Sequence, residues 1–379
     1  MFADYFLPGS RAGGPIVSLA RQLAAASGCN TLLVTRDRDL GCATRYANVG
    51  QRQWIDVGPT RVTYLSSRLR DWWWFWRQCW LFRPELVYLN SIHSAVFAIL
   101  PMIFMRLHLL PRSQLLVAPK GEFSAGALQM SGKRKRVARP LIKWALGPNV
   151  VWHLASEAES HQLATWWGFP LPNGHRILLV PDAPPQPPVS AGEDRRRGDA
   201  RQVVFASRIH PMKGLLEAIG TMASMTAECK FVVYGNIEDV GYWARCNEAA
   251  MNLPANVVFE FRGSFQSSDT PGIFDEATAF LLPTHGEGFG HAIAEALSVG
   301  CPVVVSTATP WGAYMGDEIG CISDDPSVWL SFLEEILEEE ESVRIQRRTR
   351  ISTKYGNWAE TQWREATRLF ELALGRSIA

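Results

Sequence analysis

The stretch Thr284-His285-Gly286-Glu287-Gly288-Phe289-Gly290-His291-Ala292-Ile293-Ala294-Glu295-Ala296-Leu297-Ser298-Val299-Gly300-Cys301-Pro302-Val303-Val304-Val305 decides how the rest of the chain is read. The apolar run Ala279 to Leu282 feeds a loop with three glycines, then a helical pattern closed by Gly300 at the C′ position, then Pro302 opening a second apolar run. The predicted order is strand, glycine loop, helix, strand. Glycines let a backbone come close to a ligand, and the N–H groups at a helix start favour an anion or a hydroxyl-rich partner. Into that loop the sequence puts Glu287, and on the helix it puts Glu295, so that both carboxylates can reach one bound molecule.

At 379 residues the chain exceeds what one hydrophobic core usually serves, and two domains are expected. Lys and Arg number 38 against 37 Asp and Glu, a net charge of +1 that gives no global argument for nucleic acid. The seven cysteines are scattered and contain no Cys-x-x-Cys pair, which points to a reducing cytosol and away from a disulfide framework or structural zinc. No signal peptide is visible, and the longest apolar run, Ala95 to Met105, falls short of the about 20 residues that span a bilayer.

Residues 1 to 184 alternate short apolar runs with helical patterns. Phe2 to Leu7, Thr31 to Thr35, Arg61 to Leu65, Leu86 to Asn90, Gln114 to Ala118, Val150 to Leu154 and Ile177 to Val180 read as strands. Such alternation implies an α/β domain with a parallel sheet covered on both faces. Pro184 to Ala200 is rich in proline and mixed charge and reads as a linker, spanning 185–200. A second α/β domain, 201–355, restarts with a strand from Val203 to Ala206, followed by strands at Phe231 to Tyr234, ending at Gly235, and at Val257 to Arg262. Asp324 to Glu341 is an acidic helix with Val328, Phe332 and Ile336 on one face, and Trp358, Trp363, Ala366 and Phe370 mark a last helix, 356–379.

The loop Gly9 to Gly14 lacks the G-x-G-x-x-G spacing of a dinucleotide site. Asp37-Arg38-Asp39 could hold a cation against a diphosphate, but arginines interleave it and it reads as a solvated loop, with no metal assigned. Arg68 to Arg83 carries five tryptophans within nine positions, more than one buried helix face can hold, and Lys133 to Trp144 sets basic residues against an apolar stretch. Together they point to peripheral contact with an anionic membrane, Trp72, Trp74 and Trp76 being the interfacial rings, at the inner face of the cell membrane.

Several of these segments resemble family 4 retaining glycosyltransferases of the GT-B fold. Glu287-Gly288-Phe289-Gly290, the second glutamate at Glu295, and Gly300-Cys301-Pro302-Val303-Val304-Val305 are similar to that family's donor-site signature. Arg208 followed by Lys213-Gly214 resembles its second signature, and Gly13-Gly14 its opening loop. Gly121-Glu122-Phe123-Ser124 with Gly126-Ala127-Leu128, Trp152-His153 with Glu157 and Glu159, and Thr307 to Trp311 resemble a bacterial subgroup acting in surface polysaccharide assembly.

The resemblance implies two Rossmann-like domains facing across a cleft, the closing helix 356–379 crossing back to the first domain. It implies transfer of a sugar, with retention, from a nucleotide diphosphate sugar to a saccharide or lipid-linked acceptor, without metal or cofactor. Arg208 and Lys213 would bind the donor diphosphate, Glu287 the donor sugar, and Glu295 the ribose. Gly13, Gly14, Gly235, Gly288, Phe289 and Gly290 would line the donor, and Glu122 would act on the acceptor side. The family histidine near Gly121 is missing here, and Ser207 stands where a glycine usually precedes the arginine. Alternatives are a nucleotide-sugar 2-epimerase of the same fold and a non-catalytic donor-binding partner of an active transferase.

Overall fold

The structure, a computed structural model, describes residues 1–376 apart from 10, 12, 27, 48, 59, 67, 124–131, 169, 188–200 and 266–268, and the side chains of 132–136 and 317 are outside the description. The expected linker beyond Pro187 and the stretch Ser124 to Leu128 therefore lie outside the described residues. Met1–Ala183 together with Gln362–Ala379 form one compact unit, and Pro184–Thr361 form the other.

In the second unit, six parallel strands run in the order β10-β9-β8-β11-β12-β13. These are β8 (Gln202–Ala206), β9 (Cys229–Tyr234), β10 (Val257–Gly263), β11 (Ala279–Leu282), β12 (Val303–Val305) and β13 (Gly320–Ile322). Every residue of β8, β11 and β12 is buried, because helices cover both faces and only a continuous apolar run satisfies both. Counted from β8, the order reads 3-2-1-4-5-6, the doubly wound arrangement, whose ligand crevice opens beyond the carboxyl ends of the strands where the order reverses. Here that point lies between β8 and β11.

In the first unit, β1 (Leu32–Arg36), β2 (Ile55–Val57) and β3 (Thr60–Leu65) form one sheet in the order β1-β3-β2. A second sheet holds β4 (Leu86–Leu89), β5 (Gln114–Val117), β6 (Val150–Leu154) and β7 (Arg176–Leu179) in chain order. The expected strand from Phe2 to Leu7 is reduced to one residue: Phe2 makes parallel bridges to both Val34 and Leu89, and so stands between β1 and β4. The short antiparallel β2 was not foreseen; three residues, none of them buried, leave little apolar signal.

Two further corrections concern helices and charges. The helix Pro326–Glu338 buries Trp329, Leu333, Ile336 and Leu337, so that of the expected face Ile336 is buried, Phe332 is partly buried and Val328 is exposed. Asp37 is buried rather than solvated, and it is held by Arg38 Nε and Arg45 Nε, both at 2.9 Å, and by Gln51 Nε2 at 3.2 Å. The last helix, Glu341–Leu374, supplies Ile351, Tyr355 and Ala359 to the core of the second unit and Ala366, Leu369, Phe370 and Ala373 to the cores of the first.

Candidate functional site

The loop after β8 and the loop after β11 are laced together. His285 N–H and Thr284 Oγ1 both donate to the Met212 carbonyl at 2.9 Å. Gly214 makes this approach possible, since its φ is +74° and a Cβ there would lie 2.0 Å from the Pro283 carbonyl oxygen. The result is that Lys213 Nζ sits 2.5 Å from Glu287 Oε1, with the two side chains only 11% and 15% exposed. Two of the expected ligands are thus partners of each other.

Glu287 is further fixed by its N–H, which donates to the Ala308 carbonyl at 3.1 Å. The neighbouring Trp311 is fully buried and its indole N–H donates to the Phe289 carbonyl at 2.7 Å, so the Thr307 to Trp311 segment acts as a brace for the glycine loop. Phe289 itself is buried against Trp311 and Trp358; what the loop offers at that position is backbone rather than ring. Gly290, with φ +80°, precedes the helix His291–Ser298, which carries Glu295 half-buried on its second turn. Gly300 closes that helix at φ +77°, where a Cβ would lie 2.3 Å from the Arg348 carbonyl oxygen.

Arg208 and Gly235 meet at the ends of β8 and β9. A Cβ on Gly235 would lie 1.8 Å from the Ser207 carbonyl oxygen, so glycine is needed there for packing alone. Arg208 Nη1 donates to both oxygens of Glu238, at 2.7 and 2.8 Å. Glu238 was not singled out from the sequence; the signal available was its place just past a strand end that ends in glycine.

In the first unit Gly13, at φ +61°, precedes the helix Gly14–Ala25, whose first turn has no side-chain cap. The turn Lys120-Gly121-Glu122 follows β5 and is tied at every residue. Lys120 Nζ bonds Asp182 and lies 3.3 Å from Ser18 Oγ; burial works against its charge, but Asp182 and Tyr88 more than offset this and raise its pKa. Gly121 N–H donates to Glu159 at 2.7 Å. Glu122 accepts from Ser91 Oγ at 2.7 Å, from the N–H groups of Ile92 and His93 at 3.1 and 3.0 Å, and from His93 Nδ1 at 2.8 Å. Burial pushes the Glu122 carboxyl up, but the hydrogen bonds from His93, Ser91 and Ile92 outweigh it and hold the pKa below the usual value.

A carboxylate has about four acceptor positions, so Glu122 is occupied in holding the loop after β4. His93 and Glu122 are 29 residues apart, and their contact is one that spacing could not reveal. His153, by contrast, is a core residue: its Nε2–H donates to the Val180 carbonyl at 2.9 Å, and burial together with the Lys120 charge pushes its pKa down to about 3.

The aromatic helix Leu69–Phe82 divides its tryptophans between inside and outside. Trp72 is 7% exposed and its indole bonds the Ser66 carbonyl, whereas Trp73 and Trp80 are 65% and 42% exposed on one face with Leu69. The expected trio Trp72, Trp74 and Trp76 is therefore corrected: Trp72 belongs to the core, Trp74 lies against Trp54, and Trp76, like Trp80, donates to the Leu109 carbonyl. On the helix Gly132–Leu146, Val137, Leu141 and Trp144 are exposed at helical spacing, with Arg106 stacked over Trp144. No helix among the described residues is long and apolar enough to cross a membrane.

Residues 191–351 match the family model described as glycosyl transferases group 1, a span that includes Arg208, Lys213, Glu287 and Glu295. A comparison of the sequence with curated proteins finds no match. Among solved structures the chain is similar to sucrose-phosphate synthase from Thermosynechococcus elongatus, at 16% identity and TM-score 0.66 over 95% of this chain and 92% of that one. It is similar also to HepE from Anabaena, solved with UDP and glucose, at 15% identity and TM-score 0.65 over 99% and 100% of the two chains. A third likeness is to WaaG, a glycosyltransferase involved in lipopolysaccharide biosynthesis, at 13% identity and TM-score 0.61 over 97% and 98%. These likenesses show the fold, an α/β fold with parallel sheets shared with GT-B glycosyltransferases.

Proposed function

We propose that the chain is a glycosyltransferase that moves a sugar from a nucleotide diphosphate sugar to an acceptor hydroxyl. The observation that carries this reading is the Lys213–Glu287 pair at the point of strand-order reversal, inside the segment that matches group 1 glycosyl transferases. The barrier in such a reaction lies in the departing diphosphate and the positive charge growing at the anomeric carbon. Fixed cations aimed at the leaving group stabilise that transition state, and Arg208, Lys213 and the helix start after Gly290 supply them in the second unit. Glu287 holds hydroxyls of the donor sugar, and the same carboxylate keeps Lys213 oriented. Glu295 takes the ribose hydroxyls, and Gly288 to Gly290 lend backbone N–H groups. In the first unit Gly13 and Gly14 present helix N–H groups, and Glu122 acts by holding Ser91–His93 in place.

Transfer with retention, of the family 4 kind, in bacterial surface polysaccharide or glycolipid synthesis is the finer reading. An acceptor of that kind fits the exposed Trp73 and Trp80 of one helix and Leu141 and Trp144 of another, with Arg106 over Trp144, which would rest on an anionic membrane at its cytoplasmic side. No metal is needed in this account, because the diphosphate has two cationic side chains and Asp37 is held by arginines. The test is donor-dependent release of nucleoside diphosphate with and without EDTA. Activity that survives chelation is the expected result; complete loss restored by manganese would bring a metal back into the site.

A further inference from the structure

Glu238 is built into the backbone that presents Arg208. Ile209 and Ile237 form a parallel bridge, Ile209 N–H donates to the Asn236 carbonyl at 2.8 Å, and the N–H groups of Glu238 and Asp239 both donate to the Ile209 carbonyl at 3.2 Å. Asp239 then caps the helix Val240–Ala250 through Tyr242 N–H, and the Tyr242 hydroxyl accepts from Leu216 N–H at 2.9 Å, just after Lys213 and Gly214. The backbone that carries Glu238 is thereby held beside that of Arg208, and the carboxylate reaches the guanidinium from it.

The two cation pairs at this site differ in kind. Lys213 and Glu287 are largely buried, whereas Arg208 and Glu238 are 52% and 32% exposed. An exposed pair is weak, and a diphosphate offers more charge in a geometry that suits the guanidinium fork. A diphosphate therefore displaces Glu238 from Arg208, but the carboxylate, carried on backbone tied to Ile209, stays close and repels the bound anion.

We propose that Glu238 is a resident counter-anion for Arg208, which competes with the donor diphosphate and so weakens nucleotide binding and hastens its release. This rests on the reading of Arg208 as a diphosphate ligand. E238Q keeps an oxygen for Arg208 Nη1 to bond and removes the charge; E238A removes both.

The experiment is calorimetric titration of wild type, E238Q, E238A and R208A with UDP, ADP and GDP, after thermal melts have established that each variant folds. The expected result is that the nucleotide which binds wild type binds E238Q and E238A about three- to tenfold tighter, with the gain shrinking at high salt. Equal or weaker binding to E238Q would overturn the proposal and make Glu238 a holder of Arg208 instead; absence of binding to every variant would overturn it as well. R208A separates the two levels: if it binds as wild type does, the diphosphate reading of Arg208 fails, whereas loss in R208A with no change in E238Q removes only the counter-anion.

Discussion

Lys213 Nζ and Glu287 Oε1 lie 2.5 Å apart although 74 residues separate them in sequence. The contact exists because β8 and β11 are neighbours where the strand order reverses, and because Gly214 lets the two following loops touch. Removing one member leaves the other charged and nearly buried. K213M is therefore expected to lower stability by about 3 kcal/mol, and the double variant K213M/E287Q by less than the sum of the single losses. Urea denaturation of the four proteins checks this; additive losses would mean that the pair does not couple.

Glu287 and Glu295 should behave differently in kinetics. On the proposed reading Glu287, in the loop beside Lys213, would follow the donor sugar as positive charge develops on it, so E287Q should lower kcat with little change in donor KM. On the same reading Glu295, on a helix turn, would contact ribose equally in ground and transition states, so E295Q should mainly raise donor KM. A charged hydrogen bond of about 1.5 to 3 kcal/mol corresponds to about one to two decades in the affected constant. If both variants change KM alone, Glu287 has no part in the chemical step.

The exposed tryptophans supply a membrane test. W73S/W80S should release the protein from vesicles containing anionic lipid while leaving UDP affinity unchanged. W72S should instead cost about 3 kcal/mol of stability, because Trp72 is core. Vesicle binding unaltered in W73S/W80S would mean that this face does not meet lipid.

His153 sets a pH dependence whose sign follows from its burial. Its folded pKa is depressed from 6.5 to about 3, so the neutral ring stabilises the fold above the unfolded value, and that contribution is lost as pH falls through the window between the two. Between about pH 6.5 and about pH 5 the loss is about 2 kcal/mol. H153Q, which cannot take up the proton, should show a shallower fall in melting temperature over that range. Parallel curves would mean that His153 is not buried neutral.

Much of this was legible because a parallel strand buried on both faces is apolar almost throughout, as β11 and β12 are and as β8 is after Gln202. The glycine loop was legible for a related reason, since Gly290 and Gly300 occupy backbone conformations that other residues avoid. The first strand was overread: apolar residues from Phe2 to Leu7 form a strand only where a neighbouring strand pairs with them, and of these residues only Phe2 is bridged. Pairings such as Lys213 with Glu287, Arg208 with Glu238 and His93 with Glu122 depend on which strands lie side by side. Residue spacing carries no record of that, and so Glu238 was passed over and His93 was not paired with Glu122. In the helix Pro326–Glu338 apolar residues stand on more than one face, and the core took the one with Trp329, Leu333 and Ile336 rather than the one with Val328.

The central claim is sugar transfer at the Lys213–Glu287 site, and the most direct measurement follows nucleoside diphosphate release and acceptor mass together. The protein is mixed with single nucleotide sugars and with lipid extracted from bacterial membranes. The account predicts that one donor releases its nucleoside diphosphate only when the extract is present, that a lipid gains the mass of one glycosyl residue, and that K213A abolishes both. Isomerisation of the sugar without acceptor, or donor binding with neither release nor transfer, would contradict it.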